Sequence, residues 1–149
     1  MNILLVEDDK HKMNDIISYL ASFKKKIEVD SAHSVESGVQ AAVDKPFDLI
    51  LLDMTIPNFD ITEKSDGGIS YKNGGEIIVK ELLDEDISFR CAIITQYETF
   101  NNETIDQISQ RINRLCRDNY LGYVKYSTDN DSWKEKLKIL IEYVENTID

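Results

Sequence analysis

Acidic residues stand at two places where an apolar run stops. Phe47-Asp48-Leu49-Ile50-Leu51-Leu52 ends on Asp53, and Asn2-Ile3-Leu4-Leu5-Val6 ends on Glu7-Asp8-Asp9. Carboxylates hold hard divalent cations, which take oxygen ligands, keep several waters and bridge phosphoryl oxygens. A carboxylate can also be a nucleophile and form an aspartyl phosphate. Two further residues have types suited to such a site. Thr95 ends the run Cys91-Ala92-Ile93-Ile94-Thr95, and Lys125 lies within Gly122-Tyr123-Val124-Lys125-Tyr126. A hydroxyl and an ammonium bind phosphoryl oxygens. Together the set reads as a divalent-cation site with a reactive carboxylate beside it.

These residues meet only if the apolar runs are neighbouring strands of one sheet. A run as apolar as Leu49–Leu52 suits a strand buried on both faces, the habit of parallel sheets. In open parallel sheets, ligands bind beyond the carboxyl ends of the strands. Between the runs the apolar spacing becomes helical. Met13, Ile16, Ile17, Leu20 and Phe23 mark a first helix, with Lys24-Lys25-Lys26 expected to complement the dipole at its C-terminal end. Ile27-Glu28-Val29 reads as a short second strand. Ser34 reads as the N-cap of a second helix that ends at Asp44-Lys45-Pro46. Helices are expected over Gly75–Leu83, around Ile105–Leu115 and around Trp133–Val144. The expected fold is α/β: a doubly wound, five-stranded parallel sheet with helices on both faces, flavodoxin-like, joined by right-handed crossovers.

The chain of 149 residues suffices for one domain. No apolar run approaches the length of a membrane span, and Glu7-Asp8-Asp9 interrupts the first one too early for a signal peptide. A cytoplasmic location is expected. Cys91 and Cys116, without CxxC spacing, fit free thiols in a reducing compartment. A net charge of −11 disfavours nucleic acid as a partner, since binding there needs basic surface. Neither GxxxxGK[ST] nor a glycine-rich turn after the first strand is present, which disfavours nucleotide binding.

Each site residue also has a plain reading. Acids favour helix N-termini, which could account for Glu7-Asp8-Asp9. Asp53 could be a turn acid, and threonine is an ordinary strand residue. Lys125 is harder to set aside, because a lysine in a short apolar strand is seldom buried without a partner. The four together, at matching strand ends, outweigh those readings. His11 and His33 read as surface residues, and Phe47, Tyr123 and Trp133 as core.

In order along the chain, Leu4-Leu5-Val6-Glu7-Asp8-Asp9, Asp48-Leu49-Ile50-Leu51-Leu52-Asp53-Met54-Thr55-Ile56-Pro57, Ile93-Ile94-Thr95 and Tyr123-Val124-Lys125 resemble the receiver domain of two-component response regulators. The resemblance implies that Asp53 is the phosphoacceptor. It implies that Glu7, Asp8, Asp53 and the backbone carbonyl of Thr55 hold Mg²⁺. Thr95 would bind the phosphoryl group and move toward it, and Lys125 would pair with the phosphate or with Asp53. The donor would be a phosphohistidine on a sensor histidine kinase or a histidine phosphotransfer protein. The change in charge would then switch a downstream protein partner. Such a protein is no enzyme beyond its own phosphotransfer and dephosphorylation. Homodimerisation, frequent in the family, has no independent sign in this sequence.

The sequence departs from the family in four places. Residues 58–74 form an insertion beside Asp53, polar and glycine-rich, read as a mobile loop that shields the site or docks a partner. The family's Lys-Pro step is Lys125-Tyr126 here, so a cis peptide is not expected. The family's switch aromatic falls at Gly122, with Tyr123 one residue late and therefore on the other face; Tyr97 or Tyr126 are the substitutes on offer. Gln96 follows Thr95 where a small residue is common, and the stretch from Thr95 to Lys125 is long. The expectation is a single receiver domain over residues 1–149 with no output domain. The rival is a pseudo-receiver, an interaction module of the same fold that is not phosphorylated. An aspartate-nucleophile phosphohydrolase would need a second carboxylate where Thr55 stands.

Overall fold

The computed structural model describes residues 1–63, 67, 68, 70, 71, 73–100 and 102–148. Five strands form one parallel sheet: β1 (Asn2–Val6), β2 (Glu28–Ala32), β3 (Leu49–Leu52), β4 (Cys91–Thr95) and β5 (Tyr120–Lys125). Their order is β2-β1-β3-β4-β5. Five helices separate and follow them: α1 (Lys10–Ala21), α2 (Val35–Asp44), α3 (Gly74–Asp84), α4 (Ile105–Cys116) and α5 (Ser132–Thr147). The expected architecture is present.

Strand alternation divides the core in two. Ile3, Leu5, Leu49, Leu51, Ala92 and Ile94 pack with the apolar stripes of α1 and α5. Leu4, Val6, Ile50, Leu52, Cys91 and Ile93 pack with α2, α3 and α4. All four residues of β3 are buried, which is why its sequence is apolar without a break. The edge strand β2 is mostly exposed and correspondingly polar.

Local signals fix where the helices begin. Asp9 caps α1, its side chain accepting from the amide of Lys12 at 3.1 Å. Ser34 caps α2 in a reciprocal box with Ser37, as its sequence position suggested. Thr104 and Gln107 form the same box at α4. Each such cap contributes about 1 kcal/mol.

Several boundaries differ from the sequence reading. Helix α1 ends at Ala21, so Lys24, Lys25 and Lys26 lie beyond it and do not complement its dipole. Instead Lys25 faces Glu145 and Lys26 faces Glu28. Strand β5 starts two residues early and carries a bulge: Cys91 pairs with Tyr120, but Ile93 pairs with Tyr123. Gly122, at φ 100°, accommodates the extra residue. Tyr123 thereby packs against the α4 side of the sheet, the face that strict alternation would have denied it. The length between Thr95 and Lys125 goes into an antiparallel ribbon, Thr99–Phe100 with Glu103–Thr104, and a 3₁₀ turn at Arg117–Asn119. The Lys125–Tyr126 peptide is trans, as expected.

The reading of 58–74 as a mobile loop falls partly on 64–66, 69 and 72, which lie outside the described residues. Around it, Ile56–Pro57 pairs antiparallel with Ser70–Tyr71. The Phe59 amide donates to the Gly67 carbonyl at 3.0 Å. Asp60 reaches the start of α2, where Ser34 and Ser37 hydroxyls each donate to its Oδ1 at 2.7 Å.

Candidate functional site

The carboxyl ends of β1 and β3 lie side by side, since Val6 pairs with Leu52. That register brings Glu7 and Asp53 together one residue beyond the strands. An opening of about 250 Å³ sits above them, lined by Glu7, Asp8, Asp9 and Asp53. Lys12, Thr55, Gln96 and Tyr97 complete its wall. The acids expected at one edge of the sheet therefore do share one site.

Glu7 and Asp53 are buried, and Asp8 is partly so. Glu7 Oε2 accepts from the amides of Asp8 and Asp9 at 2.9 and 3.0 Å. Burial pushes the Glu7 carboxyl up to about 7; the neighbouring Lys12 pulls it back, and Asp53 raises it again. Burial also raises Asp8, against the pull of His33 and with the push of Asp53, Asp60 and Asp9. His33 Nδ1 lies 3.1 Å from the Glu7 carbonyl, from an exposed position as expected.

The residue that sequence reasoning missed is Lys12. Its side chain is 2% exposed, and its Nζ lies 2.6 Å from Glu7 Oε1 and 3.2 Å from Asp53 Oδ1. It donates to the Ile94 carbonyl at 2.7 Å. Neither of those two carboxylate oxygens accepts a hydrogen bond among the described residues; the ammonium meets both as an ion pair. A signal was available: Lys12 precedes Ile16 and Leu20 by four and eight residues, so it belongs to the apolar stripe of α1. A lysine in such a stripe, beside an acidic cluster, calls for an anionic partner inside the fold.

Lys125 takes a different place from the one expected of it. Val124 and Tyr126 turn toward α1 and α5, and alternation sends Lys125 to the opposite face. There its ammonium pairs with Glu98, with the side chain 42% exposed. It does not line the opening above Asp53. Thr95 is fully buried opposite Lys125 in the register, and its hydroxyl accepts from the Tyr97 amide at 3.4 Å. Gln96 does stand at the opening, as its length suggested. Of the substitute aromatics, Tyr97 lines the opening and meets Phe100 edge-on. Tyr126 is buried, and its hydroxyl donates to Asp15 at 2.5 Å.

Among the described residues no three acidic, histidine or cysteine side chains converge on one point as a ready metal cage. The donor types still suit a hard cation. Asp8, Asp53 and Thr55 line an opening large enough for the waters such an ion retains.

The chain has relatives of the kind its residues suggested. No protein-family model matches it. It is 27% identical over 144 residues to the Detocs response regulatory protein DtcB of Enterobacter cloacae, covering 92% of this chain and 95% of that one. A two-component response regulator from Clostridium difficile superposes with a TM-score of 0.66 at 19% identity, covering 99% of this chain and 97% of that one. The Mn²⁺-bound form of the response regulator Rcp1 gives 0.66 at 16% identity, covering 99% and 96%. Among the described residues no helix is long and apolar enough to cross a membrane.

Proposed function

On the premise that this chain has the fold of response-regulator receiver domains, we propose that it accepts a phosphoryl group on Asp53 and thereby switches a protein partner. The observation that carries this reading is the placement of Asp53. A buried carboxylate stands at the end of the central strand, in a solvent-open pocket, beside Glu7 and Asp8. Burying a charge there has a cost that a reactive site explains.

In the proposed step an Asp53 carboxylate oxygen attacks the phosphorus of a phosphohistidine. A P–O bond forms and the P–N bond breaks, its electron pair leaving on the imidazole nitrogen. Water later attacks the same phosphorus and restores the carboxylate. Mg²⁺ suits the opening and would be held by Asp8, Asp53 and the Thr55 carbonyl, with Glu7 beside it. When bound it neutralises charge on the phosphoryl oxygens. Gln96 and Tyr97 narrow the approach to Asp53 and so limit both donor and water. The donor is a sensor histidine kinase or a histidine phosphotransfer protein. The protein acts in the cytoplasm, on a partner protein and not on nucleic acid. Its only catalysis is its own phosphorylation and dephosphorylation.

One observation favours the rival pseudo-receiver: Lys125, the residue expected to pair with the phosphate, pairs with Glu98 away from the pocket. Intact-protein mass spectrometry separates the two. The wild type and Asp53→Asn are incubated with Mg²⁺ and acetyl phosphate. A labile adduct of one phosphoryl group on the wild type alone supports phosphorylation. If no adduct forms and beryllofluoride with Mg²⁺ leaves the amide NMR spectrum unchanged, the pseudo-receiver reading replaces it.

A further inference from the structure

We propose that Lys12, reaching in from α1, is the catalytic lysine of this site and takes the charge of the phosphoryl group at Asp53 in place of Lys125. The inference rests on Asp53 being the phosphoacceptor. Its geometry is direct. Lys12 Nζ lies 3.2 Å from Asp53 Oδ1, whereas the Lys125 ammonium is engaged by Glu98 outside the opening. Sheet alternation fixes Lys125 on the α4 face, because Val124 and Tyr126 on either side belong to the α1 and α5 face.

Lys12 is also held as a preorganised donor. Its ammonium donates to the Ile94 carbonyl at 2.7 Å and stands at ion-pair distance from two carboxylates, 2.6 Å from Glu7 Oε1 and 3.2 Å from Asp53 Oδ1. The Tyr126 ring stands 5.9 Å from the ammonium. Neutralising Glu7 alone would not require the ammonium to stand beside Asp53, yet it lies 3.2 Å from Asp53 Oδ1 as well. When the Asp53 oxygen bonds to phosphorus, its negative charge passes to the phosphoryl oxygens. An ammonium already beside that oxygen meets the charge without rearrangement of solvent. Glu7 and Ile94 keep the lysine in place while its ammonium shifts from the Asp53 carboxylate to the phosphoryl group.

The test uses the full chain as wild type, Lys12→Met, Lys125→Met and the double variant Glu7→Gln/Lys12→Met. The double variant removes the buried acid along with its partner, so the fold is not left with that unpaired charge. Adduct formation with acetyl phosphate and Mg²⁺ is followed by intact mass, and Mn²⁺ affinity by electron paramagnetic resonance. Loss of Lys12 should slow adduct formation by about tenfold or more, the scale of losing a positioned charge donor. It should also tighten Mn²⁺ binding several-fold, because a cation leaves the neighbourhood of the ligands. The double variant should show the same slowing, and Lys125→Met should stay near the wild-type rate. Opposite movements of the two readouts mark a role in the chemistry, since a collapsed site would weaken both. The proposal is overturned if Lys12→Met reacts at the wild-type rate, if Lys125→Met carries the loss, or if both readouts weaken together. A wild type that forms no adduct and whose amide NMR spectrum is unchanged by beryllofluoride with Mg²⁺ removes the phosphoacceptor reading itself, and the role of Lys12 with it.

Discussion

The carbonyl oxygen of Asp53 lies 2.7 Å from where a β-carbon on Gly75 would stand. The first turn of α3 thus rests on the backbone of the proposed phosphoacceptor. The Met54 sulfur, at 3.0 Å from the same point, closes the other side. Gly74 is fixed beside it, its amide donating to the Met54 carbonyl at 2.6 Å.

Gly75→Ala should therefore destabilise the protein by about 1–3 kcal/mol, the usual range for overpacking. A backbone oxygen cannot swing aside as a side chain would. Gly122→Ala is the control: its β-carbon would meet nothing, so its cost is that of a positive φ alone, about 1 kcal/mol. Urea unfolding midpoints compare the two. Adduct formation at Asp53 should fall in Gly75→Ala and persist in Gly122→Ala. Equal midpoints would show that the close approach is not what requires glycine at 75.

Glu7 predicts a pH dependence. Burial raises its carboxyl to about 7 in the folded protein, against roughly 4.3 in an unfolded chain. Between those values the folded state holds a proton that the unfolded state has released. Stability must then fall as pH rises through that window, and level off outside it. The loss is at most about 4 kcal/mol, on the scale of the shift. Unfolding measured from pH 4 to 8 with a chelator present should show this decline, and Glu7→Gln should flatten it. A wild-type profile that rises across the window would contradict the burial of an acid at this point.

Asp60 joins the inserted segment to α2. Both serines of the capping box donate to its Oδ1, and the Glu36 amide donates to the Asn58 carbonyl at 3.1 Å. Burial alone would raise the Asp60 carboxyl, but the Ser34 and Ser37 hydroxyls outweigh it and hold the group low. Asp60→Ala should leave the cap intact, because Ser34 Oγ still accepts from the Ser37 amide. It should cost about 1 kcal/mol of global stability and release the segment from α2. Limited proteolysis around 58–63 is the sensitive readout. Unchanged cleavage would mean that the segment is held by the Ile56–Pro57 ribbon and not by Asp60.

How much of this was legible in the sequence depended on whether the signal was local. The apolar run into Asp53 and the acids after β1 identified the sheet and the edge where its acids gather, because a strand buried on both faces has one readable composition. Ser34 was legible as a cap for the same reason. The bulge at Gly122 was not, since nothing local says that one strand will advance three residues while its neighbour advances two. That shift decides which face Tyr123 takes. The exchange of Lys12 for Lys125 was hidden more deeply. It joins a helix and a strand 113 positions apart in sequence, and only the packing of α1 on the sheet reveals which ammonium meets Asp53. Motif matching placed the lysine by its position along the chain, whereas strand alternation and burial place it by direction.

Arg111 supplies the last prediction. Its guanidinium, on α4, forks between Glu76 of α3 and Glu103 of the ribbon before α4. Nη2 lies 2.8 Å from Glu76 Oε1 and 3.2 Å from Glu103 Oε1. Glu76 is buried, so removing Arg111 leaves its charge against the core with only the exposed Lys80, 4.0 Å away. Arg111→Met should cost about 3 kcal/mol, near the lower end for breaking a buried pair because the arginine is partly exposed. Glu76→Gln in the same chain should recover most of that loss, because the stranded charge is gone. Arg111→Lys should recover little, because a single ammonium cannot span both carboxylates as the planar fork does. Thermal unfolding of the three variants decides the matter. If Arg111→Met alone unfolds like the wild type, Glu76 has another route to neutralisation and the fork does not tie α3 to α4.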